Sequence, residues 1–226
     1  MLTIKKLLTM LDLQDKMNSV VNPDWRNAGY HWERAIMVEA VEALDHHGWK
    51  WWKSSTPDMP QVRMELVDIW HFALSLLMVQ DSDRDNVALA DDLSHACAQP
   101  TSFPPGVTLL DYLQEMVKLS AGGEFCLDTF AACLHGTGMT WDDLYSSYVG
   151  KNTLNLFRQK FGYKTGEYIK DWTVVPLKGE SLGRALEDND HLHEILLEID
   201  LSADNLQDVI MSELGVRYTA LLAHSK

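Results

Sequence analysis

Met64-Glu65-Leu66-Val67-Asp68-Ile69-Trp70-His71-Phe72-Ala73-Leu74 is an apolar run broken by two acids three residues apart. Upstream, Ala35-Ile36-Met37-Val38-Glu39-Ala40-Val41-Glu42-Ala43-Leu44 repeats the arrangement. A spacing of three puts both carboxylates of a pair on one helix face, about one turn apart. Apolar residues run nearly all the way round both helices, so both are expected to be largely buried. Desolvating unpaired carboxylates costs several kcal/mol each, on the order of the penalty for any buried charge. A divalent cation removes that cost, because Mg²⁺ takes oxygen ligands. Glu39, Glu42, Glu65 and Asp68 are therefore the expected metal-ligating set. The competing reading is a solvated acidic stripe, which explains one pair more easily than two on consecutive apolar helices.

Outward from these helices, the chain reads as all-α. Ile4, Leu7, Leu8, Leu11 and Val20 form a helical stripe over residues 1–20, with Gln14 and Asn18 four apart on one face. Such amides could hydrogen-bond a nucleobase edge, although spacing alone favours plain surface residues. Asn22-Pro23-Asp24 is a turn, and residues 25–30 form a connector. The first acidic helix is expected over 31–46, broken by Gly48. Trp49, Trp51 and Trp52 follow; a stacking surface is conceivable, but core packing is the preferred reading. The loop 54–60 leads into the second acidic helix at 61–80. A connection this short makes the two acidic helices antiparallel neighbours, with their acidic pairs face to face. Residues 81–138 read as an inserted helical cover, with helical stretches near 107–121 and 124–135. Thr140 is an expected N-cap for a helix to about residue 161, ended by Gly162. Tyr163 to Lys170 is a glycine-punctuated loop carrying two lysines, which suits phosphates. Further helices are expected over 187–199 and from a cap at Ser202 to about 223. The expected architecture is one domain over 1–226, a helical bundle with two antiparallel metal-binding helices at its core.

Composition narrows the function classes. The 226 residues are 46% hydrophobic and 23% charged, with a net charge of −14. That charge disfavours nucleic acid as a partner. The apolar run from Ala73 to Val79 is too short for a membrane span, and the N-terminus lacks a signal-peptide layout. Cys97, Cys126 and Cys133 suit a reducing compartment and packing roles, and match no zinc spacing. Residues 151–184 hold seven basic residues (Lys151, Arg158, Lys160, Lys164, Lys170, Lys178, Arg184) against three acids. A basic island in an acidic chain suggests an anion site, though a solvated basic face is the commoner meaning. His46-His47 and His191-x-His193 read as surface or helix-end residues, and the methionines of 64–78 as core.

Taken together, the stretches EAVEAL, WKWWK, ELVDIWHF, YVGKNTLNLFRQKFGYKTGEYIKDW and EDNDHL, preceded by Gln14 to Asn18, resemble the dimeric all-α dUTPase family. The T-even phage dCTP/dUTP pyrophosphatases and the MazG-like pyrophosphohydrolases are related to it. The blocks fall in the family's order and cover most of the chain except 81–138 and the last helix. The resemblance implies an Mg²⁺-dependent enzyme (Mn²⁺ being the alternative ion) that converts dUTP, and dUDP, to dUMP. It implies Glu39, Glu42, Glu65 and Asp68 as metal ligands, with Glu39 also the general base. Gln14, Asn18, Trp25, His71 and Phe72 would bind the base. Lys151, Asn155, Arg158, Tyr163, Lys164, Lys170, Asp188 and Asn189 would bind sugar and phosphates. It further implies a homodimer in the cytoplasm of a bacterial cell or phage-infected host, with no nucleic-acid or membrane partner. Three rivals compete: a dCTP/dUTP or other house-cleaning pyrophosphohydrolase of the same fold, a di-iron carboxylate bundle loosely suggested by Asp68-x-x-His71, and a helical adaptor with a tryptophan patch.

Overall fold

The computed structural model describes residues 2–99, 104–177, 185–201, 203 and 205–224. The expected Ser202 cap and the basic residues Lys178 and Arg184 lie outside them. Nine α-helices occur among the described residues: α1 (Ile4–Val21), α2 (Trp32–His47), α3 (Met59–Gln80), α4 (Asn86–Cys97), α5 (Leu109–Ala121), α6 (Leu127–Gly136), α7 (Trp141–Lys160), α8 (Asp188–Glu198) and α9 (Leu206–His224). The β-structure described is one isolated antiparallel bridge, Asp171 with Glu187. The fold is all-α, as the periodicity predicts. None of the described helices is long and apolar enough to cross a membrane. Two compact units divide the chain, Met1–Tyr148 and Val149–Lys226, and the boundary falls within α7.

In the first unit α3 is the central element. Val62, Leu66, Val67, Ile69, Trp70, Ala73 and Leu74 are all buried, at successive positions that leave little of the helix surface wet. Asp58 caps its start by accepting from the Gln61 N–H at 3.3 Å. Pro60 is tolerated there because the first turn has no intrahelical partner for its missing N–H, so α3 begins two residues earlier than expected. Trp70 stacks on Phe130 at 5.0 Å, with Phe125 and Trp141 alongside. Burying each such ring contributes roughly 1.5–3 kcal/mol. Around α3, α2 packs along it and against α5, while α1 packs on α3 and α4. The segment 81–138 thus holds α4, which the sequence does not signal clearly, and α5 and α6, which it does.

Two expectations are corrected here. Helix α2 is not largely buried: its covered side is Ile36, Ala40 and Ala43, while Val38 and Val41 are exposed. The small alanines bring the backbones of neighbouring helices close, so a narrow stripe suffices to seat the helix. The tryptophans after it are not core either. Gly48 adopts a left-handed conformation (φ 76°) that ends α2 and turns the chain outward. Trp49, Trp51 and Trp52 are then exposed, up to 88% at Trp51, and pack edge to face on one another.

The second unit is built on α8, α9 and the C-terminal part of α7. Phe157, Tyr168, Trp172 and Tyr218 form an aromatic cluster, with Tyr168 and Tyr218 stacked at 5.3 Å. Gly150 lets Leu192 and Leu196 approach: a Cβ there would lie 3.0 Å from Leu196. His191, expected at the surface or a helix end, lies in the first turn of α8 but is fully buried beside Trp172, and its Nδ1 lies 3.2 Å from Arg217. The tilted contact with Trp172 fills the space between α8 and the loop before it, which the local text around His191 does not disclose. Thr140 caps α7 as expected. Its hydroxyl accepts from the Asp143 N–H at 3.1 Å, and Asp143 accepts from the Thr140 N–H at 2.8 Å, a reciprocal capping box.

Candidate active site

Glu39 and Glu42 occupy one face of α2, and Glu65 faces them from α3. The start of α3 is tied to the end of α2 by Asp58 N–H donating to the His46 carbonyl at 2.9 Å. Trp32, at the other end of α2, meets Phe72 at 6.3 Å. The two helices therefore run antiparallel, as the short connection predicts. One oxygen from each of Glu39, Glu42 and Glu65 lies within 4.8 Å of the others. Asp68 is outside that triplet but close enough that its charge acts on Glu39. Burial and the charges of Asp68, Glu65 and Glu42, in that order, push the Glu39 carboxyl up to about 8. Exposure is graded across the cluster: Glu65 is buried, Glu39 and Asp68 half-buried, Glu42 exposed.

This donor set suits a hard divalent cation. It offers carboxylate oxygens within bridging distance of one another, at a place where burial first and their mutual repulsion second disfavour the ionised form of Glu39. The three clustered ligand candidates are all glutamates, unlike the Glu-x-x-His pairs of di-iron bundles.

The amide pair is not at the surface. Gln14 and Asn18 are 4% and 7% exposed and extend the buried stripe of α1 past Leu11. Gln14 Nε2 donates to Asn18 Oδ1 at 2.9 Å, and Asn18 Nδ2 donates to the Ser75 hydroxyl at 2.9 Å. Ser75 in turn donates to the His71 carbonyl at 3.0 Å. The Tyr148 hydroxyl lies 2.8 Å from Gln14 Oε1, and its ring stacks on the His71 imidazole at 4.1 Å. His71 Nδ1 donates to the Val67 carbonyl at 2.8 Å, which fixes the ring. Each amide engages one of its two N–H groups in this chain, so their orientation is preset. Ser75 and Tyr148 were missed by the motif reading. The available signal was a lone hydroxyl in the otherwise apolar Ala73-Leu74-Ser75-Leu76-Leu77.

Trp25 is buried, donates from Nε1 to Asp15 at 3.1 Å and lies under the Arg26 guanidinium. Its edge meets Trp32 at 5.9 Å. Phe72 and Trp32 help line an open, mainly apolar hollow of about 490 Å³, together with Tyr30, Arg34 and Val38. Tyr30, Trp32 and Arg34 also escaped the sequence reading, since a connector rich in aromatics carries no spacing signal.

In the second unit, Arg158 and Asp188 meet each other. Nε and Nη2 of Arg158 each donate to an Asp188 oxygen at 2.8 Å, and Nη1 donates to Asn155 at 3.1 Å. Asn189 accepts from Nη2 at 3.4 Å, and the Tyr168 hydroxyl donates to Asp188 at 2.8 Å. Asp188 is fully buried. Its charge, after burial itself, pushes the Tyr168 hydroxyl far above its ordinary value. Lys151 is buried; Tyr163 and Lys164 are exposed on the loop; Lys170 pairs with Glu187 at 3.1 Å. Gly162 and Gly166 both have positive φ, and a Cβ at Gly162 would sit 2.7 Å from Glu167.

A family model described as dUTPase matches residues 6–163, more than half of the chain and inclusive of both acidic pairs. The chain belongs to the dUTPase family. It is therefore a hydrolase acting on dUTP, of the all-α type, and dUTPases generally use a divalent metal. No curated protein matches the sequence.

Proposed function

We propose that this dUTPase is an Mg²⁺-dependent dUTP diphosphatase that also accepts dUDP, with Glu39, Glu42, Glu65 and Asp68 holding the metal. The observation that carries this reading is the triplet of facing carboxylates, with Glu39 pushed up to about 8 by burial and by its acidic neighbours. Bound there, Mg²⁺ would supply Lewis acidity toward water and neutralise phosphate oxygens. Glu39 takes the proton of a water whose oxygen attacks the α-phosphorus. The bond from that phosphorus to the bridging oxygen breaks, giving dUMP and pyrophosphate from dUTP, or phosphate from dUDP. Gln14 and Asn18, preset by Ser75 and Tyr148, read the uracil edge, and Phe72 stacks on its ring with His71 and Trp25 behind. Lys151, Asn155, Tyr163, Lys164 and Lys170 keep the sugar- and phosphate-binding roles implied by their motif. Arg158, Asp188 and Asn189 keep the same motif-implied role, with the Arg158 guanidinium held in place by Asp188 and Asn189.

The exposed Val38 and Val41 on α2 support a homodimer through that helix, and light scattering reads its mass. A panel of dUTP, dUDP, dCTP and other triphosphates with Mg²⁺, assayed for monophosphate and pyrophosphate, tests the reaction. Turnover confined to the uracil nucleotides is expected. Equal turnover of dCTP would move the assignment to a dCTP/dUTP pyrophosphatase, and no turnover with metal present would sink the proposal.

A further inference from the structure

Helix α2 presents a third polar group on the face of Glu39 and Glu42. His46 follows them by seven and four residues, so the three side chains line one side of the helix. Its Nε2 lies 3.3 Å from Glu65 Oε1 on α3. The corner that follows fixes this reach. The His46 carbonyl accepts from Asp58 N–H at 2.9 Å, and Asp58 is itself the cap of α3. The Ser55 hydroxyl donates to the Gly48 carbonyl at 2.9 Å, and Lys50 pairs with Asp45. The backbone beside the imidazole is thus tied to the start of the helix that carries Glu65. Glu65 is 7% exposed and sits beside the carboxyls of Glu39 and Glu42. An imidazole N–H at that distance can donate to a carboxylate oxygen. Ligating carboxylates depend on hydrogen-bonding partners of this kind, whose removal typically costs about 10–100-fold in metal affinity.

We propose that His46 is a positioning residue for the metal centre: its Nε2–H holds Glu65 Oε1 and so fixes the Glu65 carboxylate for the cation. This inference rests on the metal reading above. The test is Mn²⁺ binding to the nucleotide-free protein, followed by electron paramagnetic resonance, for wild type, His46→Ala and His46→Gln. His46→Ala should weaken Mn²⁺ binding by about tenfold or more, while the melting temperature of the metal-free protein barely moves. His46→Gln, whose amide nitrogen reaches the place of Nε2, should recover much of the affinity. A merely structural histidine would show the opposite pattern, with lowered melting and unchanged Mn²⁺ affinity. If wild type binds Mn²⁺ and His46→Ala binds it equally, this inference alone falls. If wild type binds no Mn²⁺, the metal reading falls and takes the inference with it. Should His46→Ala fail to fold, His46→Leu carries the same comparison against His46→Gln.

Discussion

At Glu39, burial and three neighbouring acids act in the same direction, raising the carboxyl from 4.5 to about 8. In the unfolded chain those neighbours disperse and the carboxyl returns to its ordinary value. Below that value the group is protonated in both states and its contribution to stability is complete. As pH rises toward about 8 the unfolded state ionises first, so stability is lost across the interval. The melting temperature of metal-free protein should therefore fall between about pH 5 and about pH 8, and Glu39→Gln should flatten that slope. An unchanged slope in the variant would mean that other groups carry it. The same substitution should lower kcat by at least about 10²-fold, the low end for a lost general base. Near-normal pyrophosphate release would remove Glu39 from the chemistry. The carboxylates were legible in the sequence because a three-residue spacing fixes their shared face whatever packs around them. Trp49, Trp51 and Trp52 were not, because composition names apolar residues without saying which side of the chain they take. His46 lay in plain view at a spacing of four from Glu42. Spacing does not disclose its role, because a histidine at a helix end usually faces water.

Two element junctions carry the geometry that these residues need. The first is the α2–α3 corner. Gly48 sits at φ 76°, and a Cβ there would lie 2.9 Å from the Ser55 hydroxyl oxygen. Gly48→Ala should cost about 1–2 kcal/mol, the usual penalty for a side chain in left-handed backbone. Urea unfolding reads it, and an unchanged midpoint would show that the corner relaxes freely. The second is the junction of α7 with α8, where both oxygens of a fully buried Asp188 take the Arg158 guanidinium. Asp188→Asn keeps the shape but leaves the Arg158 cation buried beside a neutral group, which should destabilise by about 3 kcal/mol or more. Lys164→Ala, on the exposed loop, should shift stability by less than about 0.5 kcal/mol. Urea unfolding compares the two, and equal losses would contradict the division between buried and exposed members of the motif. The long helices were legible from periodicity and their stops from Gly48 and Gly162. Helix α4 was not, since a short amphipathic segment shows too few turns to stand out from a polar loop. The buried pairing of Arg158 with Asp188 was hidden for another reason: thirty residues separate the partners, and a motif gives each residue a role without giving it a neighbour.

At the scale of the whole chain, the division at Tyr148 and Val149 was not legible, because it falls inside one continuous helix with no change of composition to mark it. All four proposed metal carboxylates belong to the first unit, whereas the aromatic cluster and the Arg158–Asp188 pair belong to the second. A ligand that binds only the folded state stabilises by mass action, about 2.7 kcal/mol at a hundred times its dissociation constant. That gain appears in whichever amides open together with the bound region. Saturating Mg²⁺ should therefore slow hydrogen exchange in α2 and α3, whose backbone carries the carboxylates, and chelation should reverse it. Mass-resolved exchange on peptides from α8 and α9 then separates two outcomes. Unchanged exchange there is expected if the second unit opens by itself. Equal slowing would mean that both units unfold in one cooperative step. No slowing anywhere, α2 and α3 included, would mean that the facing carboxylates do not hold the ion. Burial and the neighbouring acids that lift Glu39 would then be offset by the proton it retains and by His46 beside Glu65.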